Sequence, residues 1–154
     1  MNRFEYPARL RRIVDGDSLR IDFDLGFGLR NENVAVRLFG VDTPELFSGS
    51  PLERSAGLSA KLFVEGWMDF ADDGSSSFPL RVRTVDRSKY GDWLARIWCG
   101  LGDELGLRLL DEGMGRVYLG EKKKPWGDQT LREIVAHPVT YPNERRSRLG
   151  EAVE

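Results

Sequence analysis

Cysteine is almost missing from this chain: 154 residues carry one, Cys99. No internal disulfide is possible, and a reducing compartment is expected. Cys99 follows Ile97 and Trp98 at a strand end and reads as a core or near-core thiol. Long apolar runs are missing too. No window approaches the ~18 consecutive apolar residues of a membrane-spanning helix, so no membrane association is expected. The N-terminal stretch MNRFEYPARLRRIVDGD lacks the apolar segment of a signal peptide. A cytoplasmic location follows as the expectation, and a monomer is expected. A strong excess of positive charge is also missing, since the net charge is −2 and the pI about 5.6. That argues against a protein that coats nucleic acid by bulk charge, but not against an enzyme that grips a few phosphates locally. The basic runs Lys122-Lys123-Lys124 and Arg145-Arg146-Ser147-Arg148 read as solvated surface. No internal repeat is present.

The length suits one domain with a real core, and an apolar content of 40% is that of a soluble globular protein. Phe4–Val14 and Ser18–Leu25 read as strands around the turn Asp15-Gly16-Asp17. Leu25-Gly26-Phe27-Gly28 reads as a hairpin loop, and Asn33–Val41 as a third, nearly continuous apolar strand covered on both faces. Ser50 is placed to cap a helix with Pro51 at its first position. That helix runs to about Phe70, with Leu52, Ala56, Ala60, Phe63, Trp67 and Phe70 forming an apolar stripe. Strands follow at Phe78–Val85 and Trp93–Cys99. A second helix spans Asp103–Glu112 and stops at Gly113. A third spans Asp128–Ala136, before an irregular tail with Pro138 and Pro142. This order predicts a mainly β, α+β fold: a five-stranded OB-type Greek-key barrel with two to three helices.

Five residues remain unexplained by the pattern: Asp17, Arg37, Asp42, Thr43 and Glu45. If the first three strands are neighbours, Asp17 and Asp42 meet at one end of the sheet. Converging carboxylates repel unless a cation joins them, and hard oxygen ligands suit Ca²⁺ or Mg²⁺. The Thr43 carbonyl is a further ligand, and Pro44 stiffens the chain so that Glu45 is held in place. Arg37 in a covered strand needs an anion: one of these carboxylates, or a phosphate. Alone, each feature is an ordinary turn or a structural ion pair. Together they are the parts for metal-assisted phosphodiester hydrolysis, with Glu45 as general base.

Asp15-Gly16-Asp17-Ser18, Val36-Arg37-Leu38-Phe39-Gly40-Val41-Asp42-Thr43-Pro44-Glu45, Lys89-Tyr90-Gly91 and Leu109-Leu110-Asp111-Glu112-Gly113 together resemble the staphylococcal nuclease-like (thermonuclease) family. The hairpin Asp24-Leu25-Gly26-Phe27-Gly28 is similar to that of phage and bacterial members. The resemblance covers roughly residues 10–120. It implies a barrel domain over 1–120, with 121–154 as a C-terminal helix and irregular tail on or extending from it. It further implies Ca²⁺-dependent hydrolysis of DNA or RNA, single-stranded nucleic acid being the expected partner. Asp17, Asp42 and the Thr43 carbonyl match the metal ligands. Glu45 matches the general base and Arg37 a phosphate-binding arginine. Lys89 and Tyr90 match residues lining the nucleotide site. Tyr118 stands near a substrate-contacting tyrosine, with packing as the other reading.

The sequence departs from that pattern at Asp92. In the family, Lys-Tyr-Gly is typically followed by a catalytic arginine. Loss of one preorganised donor costs about 2.7–4 kcal/mol, and a carboxylate would repel the phosphate as well. Arg87 in the same connection, Arg96 on the following strand and Arg116 after the second helix are candidates to substitute, and Asp92 could instead add a metal ligand. The tail departs too: His137-Pro138 interrupts the last helix, His137 reads as a helix-end residue, and Trp126 comes too early to match a closing tryptophan. Two functions are therefore carried forward. One is a Ca²⁺-dependent nuclease, weakened by Asp92. The other is an inactive OB-type module that binds nucleic acid or a protein partner.

Overall fold

The structure is a computed structural model describing residues 4–138. The tail beyond Pro138, with its Arg145–Arg148 run, lies outside the described residues. Strand β1 (Glu5–Asp15) and β2 (Ser18–Gly26) form a hairpin around Gly16-Asp17, and β3 (Leu29–Leu38) pairs antiparallel with β2. A short β4 (Val41–Asp42) and helix α1 (Pro51–Ala71) follow. Next come β5 (Leu80–Arg87), β6 (Trp93–Cys99), helix α2 (Leu105–Asp111), a short β7 (Arg116–Val117) and helix α3 (Asp128–Ala136).

The five long strands close a barrel in the order β1-β2-β3-β6-β5, with β5 returning to β1. Only β3 and β6 run parallel, Arg37 facing Leu94 in register. This is the expected OB-type Greek key. Residues alternate inward along each strand. Leu19, Ile21 and Phe23 of β2, Val36 and Leu38 of β3, Leu80 and Val82 of β5, and Ala95, Ile97 and Cys99 of β6 are buried.

Helix α1 covers one end of this core. Ser50 Oγ accepts from Glu53 N at 3.1 Å and Pro51 opens the first turn, as the sequence indicated. The stripe Ala56, Ala60, Phe63, Val64, Trp67 and Phe70 is buried. The Trp67 indole N–H donates to Asp103 Oδ2 at 2.9 Å, tying α1 to the loop before α2. Helix α3 has the expected bounds and lays Leu131 and Ile134 into the same core. His137 caps that helix, 3.2 Å from Glu112 and edge-on to Phe63, a helix-end role.

One expected strand is split. Asn33–Val41 was read as continuous, but pairing with the barrel ends near Phe39, whose N–H donates to Ala95 O at 2.9 Å. Gly40 then turns with φ +80°, a conformation that favours glycine, and Val41-Asp42 pairs with Val117-Arg116 instead. The periodicity was right, but the partner changes at Gly40. The split throws Asp42 off the barrel wall and towards Asp17.

Candidate active site

Asp17, Asp42 and Thr43 are buried together at one end of the barrel. Their convergence follows from strand order: β2 begins at the Asp17 turn, and β3 lies beside it with Ser18 facing Arg37. Leu38 N donates to Asp17 O at 2.9 Å, and Thr43 N donates to Asp17 Oδ2 at 3.2 Å. Arg37 Nη2 lies between the carboxylates, 3.4 Å from Asp17 Oδ2 and 3.6 Å from Asp42 Oδ1. Glu45 follows Pro44 with its side chain 46% exposed, so it faces solvent from the rim.

Glycines make this assembly possible, and they were not singled out in the sequence. A Cβ on Gly16 would lie 2.7 Å from Thr43 Oγ1 and 2.9 Å from Ala60 Cβ. One on Gly57, in the interior of α1, would lie 2.7 Å from the Glu45 carbonyl oxygen and 2.8 Å from Leu46 N. One on Gly115 would lie 2.9 Å from Val41 Cγ1 and 3.1 Å from Asp42 O. The segment Val41–Leu46 is therefore seated against bare backbone at α1 and before β7. A glycine inside an apolar helix stripe was the available signal, since such a glycine costs helix stability unless something packs on it.

Burial pushes the Asp17 carboxyl up to about 7; the neighbouring Asp15 adds to this, and Arg37 and the Thr43 N–H offset only part of it. The Asp42 carboxylate is 1% exposed and meets three cations. Arg116 reaches Oδ2 at 3.0 Å, and Lys123 Nζ lies 2.9 Å from Oδ1. Among the described residues Oδ1 nevertheless has no hydrogen-bond partner, and neither does the buried Thr43 hydroxyl. Two buried carboxylates, one with an oxygen lacking a hydrogen bond, fit a hard divalent cation. Among the described residues no group of three or more acidic, histidine or cysteine side chains is arranged to hold a metal, so the Thr43 carbonyl and water would have to complete the shell.

A cleft of about 770 Å³ opens beside this centre, lined by Arg37, Glu45, Arg87, Lys89, Tyr90 and Tyr118, among others. Lys122, Lys123 and Glu121 also line it, so five basic side chains face two carboxylates. The lining is thus net positive although the chain is acidic overall. Tyr118 sits in the wall, its ring 5.9 Å from the Arg37 guanidinium and 5.2 Å from Lys123 Nζ. Lys89 lies 5.2 Å over the Tyr90 ring, and Tyr90 is mostly exposed.

The three substitute arginines separate clearly. Arg96 is tied to Glu104 by two bonds of 2.7 Å and does not line the cleft. Arg116 is fixed by Asp42, by Lys124 O at 2.6 Å and by the Trp126 ring at 4.0 Å. Arg87 lines the cleft with its guanidinium 5.0 Å over Trp93. Asp92 is outside the lining, and Arg37 pairs with Asp17 and Asp42 rather than with it. Asp92 thus neither closes the pocket nor joins Asp17 and Asp42. Lys122, Lys123 and Lys124 are exposed, as expected of solvated surface, and Lys122 and Lys123 also line the cleft.

Residues 35–137 match the family model described as staphylococcal nuclease homologue. That match begins within β3, so the Asp17 turn is joined to it by geometry, through Arg37 and Thr43. The chain is also 32% identical over 108 residues to the thermonuclease of Staphylococcus intermedius, covering 70% of this chain and 56% of that protein. It thus spans about half the length of that relative. With the closed barrel and these two matches, the chain belongs to the staphylococcal nuclease homologue family.

Proposed function

We propose that the chain is a Ca²⁺-dependent nuclease that hydrolyses phosphodiester bonds in single-stranded DNA or RNA. The observation that supports this most is the meeting of Asp17, Asp42 and Arg37 beside Glu45 at the wall of an anion-receptive cleft. Asp17, Asp42 and the Thr43 carbonyl would hold the cation. Bound there, Ca²⁺ supplies charge that stabilises the phosphoryl oxygens.

The chain's own residues account for the rest. Glu45 takes a proton from a water molecule as the water oxygen bonds to phosphorus and the P–O ester bond breaks. Its backbone, seated against Gly57, keeps the carboxylate from drifting. Arg37 presents a planar fork to two non-bridging oxygens, a geometry that lysine does not offer. Tyr118 backs that guanidinium, and Lys89 and Tyr90 form the side of the cleft where a nucleotide would lie.

The test is cleavage of single-stranded DNA with Ca²⁺ and with chelator, by the native chain, Glu45→Ala and Asp92→Arg. Ca²⁺-dependent cleavage that falls by roughly 10²–10⁴ in Glu45→Ala supports the nuclease. A second reading has one feature in its favour, the carboxylate at Asp92. It is an OB-type module that binds nucleic acid or a protein partner without cutting. Cleavage only in Asp92→Arg would establish that reading.

A further inference from the structure

Among the described residues, Lys123 is the one cation that approaches both Asp42 and Glu45, at 2.9 and 3.8 Å, while also lining the cleft. Asp42 and Glu45 both lie beside Lys123, on the side where a phosphate must come if Glu45 is to direct a water onto it. Arg37 Nη2 lies against Asp17 and Asp42, and its fork already has the phosphate as its assigned partner. Arg116 is held by a carboxylate, a carbonyl and a ring, so it serves to fix Asp42. The Arg87 guanidinium stacks on Trp93. Lys123 differs from all of these. Its contact with Asp42 lacks hydrogen-bond geometry, its side chain is 34% exposed, and its four-carbon stem is flexible.

We infer that Lys123 is a substrate-contacting residue: its ammonium pairs with the scissile phosphate, and the Gly120–Gly127 loop delivers it. This rests on the reading of the site as a phosphodiesterase. A general base works within about 3 Å of its water, and that water must touch phosphorus. A group 3.8 Å from Glu45 Oε1 is therefore within reach of the phosphoryl oxygens. The Asp42 carboxylate is also where the cation would bind, so Lys123 and the cation compete for Asp42. Loading the site frees the ammonium for the incoming anion.

The two roles give effects of opposite sign when the charge is removed. In Lys123→Met, Ca²⁺ affinity measured calorimetrically without nucleic acid rises several-fold. Binding of a fluorescent single-stranded oligothymidylate in Ca²⁺ weakens roughly 10- to 100-fold, the scale of one hydrogen bond to a charged group. The slope of log affinity against log salt falls by about one phosphate contact. Lys123→Arg restores oligonucleotide binding. Native-like Ca²⁺ and oligonucleotide affinities in Lys123→Met would overturn the inference while leaving the nuclease reading intact. If the native chain binds neither Ca²⁺ nor the oligonucleotide, the site reading falls and this inference falls with it.

Discussion

Gly57→Ala should destabilise this protein, against the ordinary rule for helices. Glycine in a helix interior costs about 0.5–1 kcal/mol relative to alanine, so the change usually stabilises. Here the new methyl would stand 2.7 Å from Glu45 O, 2.8 Å from Glu45 C and 2.8 Å from Leu46 N. Ordinary contact begins near 3.4 Å, so it is 0.6–0.7 Å too close to three backbone atoms at once. Backbone does not swing aside as a side-chain tip does. Overpacking of this kind typically costs 1–3 kcal/mol, which leaves a net loss of roughly 1–2 kcal/mol after the helix gain. For a domain of this size that lowers Tm by roughly 3–6 °C. The displaced atoms belong to the proposed general base, and a misplacement approaching 1 Å costs up to about 10²-fold in rate. Urea and thermal unfolding, with kcat measured well below Tm, test both parts. A Gly57→Ala protein that melts higher than native with unchanged kcat would refute the claim that α1 seats Glu45.

Asp22 is a second test, of stability rather than chemistry. Burial pushes its carboxyl up, but bonds from Arg11, the Asn33 N–H and Arg9 outweigh this and hold it at about 2. A depressed carboxylate contributes stability that is present above its unfolded pKa near 3.8 and lost as pH falls towards 2. The shift corresponds to about 2 kcal/mol. Urea midpoints from pH 6 to 2 should therefore drop steeply in the native chain and flatten in Asp22→Asn; parallel curves would disprove the assignment. Ca²⁺ at a hundred times its Kd should stabilise the native fold by about 2.7 kcal/mol, an effect abolished in Asp42→Asn and by chelator. Asp92→Arg should raise cleavage by no more than about tenfold, since the side chain at this position does not line the cleft; a rise of the 10²–10³ typical of a restored preorganised donor would place it at the phosphate after all.

The barrel was legible because alternation and turn residues agree at every strand. The Asp17–Asp42 meeting was legible because adjacent strands must bring their ends together. Elements failed where the deciding fact is a change of partner. Val34–Val41 has the same apolar character on both sides of Gly40, so periodicity alone does not reveal that the chain leaves β6 for β7. Gly57 and Gly115 carry no side chain to announce a role, and only the close approach of Glu45 and Asp42 explains them. Lys123 had no signal of its own in a run of three lysines. Its placement depends on Trp126 lying on Arg116, which draws the loop back across the site.

The overall acidity of the chain is compatible with a locally basic cleft for a related reason. Net charge describes a distant field, which salt screens beyond about 8–10 Å. A phosphate in the cleft feels its immediate lining, where basic side chains outnumber carboxylates five to two. The three central carboxylates are themselves matched by Arg37, Arg116 and Lys123. A divalent cation added to this balanced set leaves an excess of two positive charges, which an incoming phosphodiester can partly neutralise. If Ca²⁺ binds as proposed, oligonucleotide binding should strengthen with Ca²⁺ far more in the native chain than in Asp42→Asn.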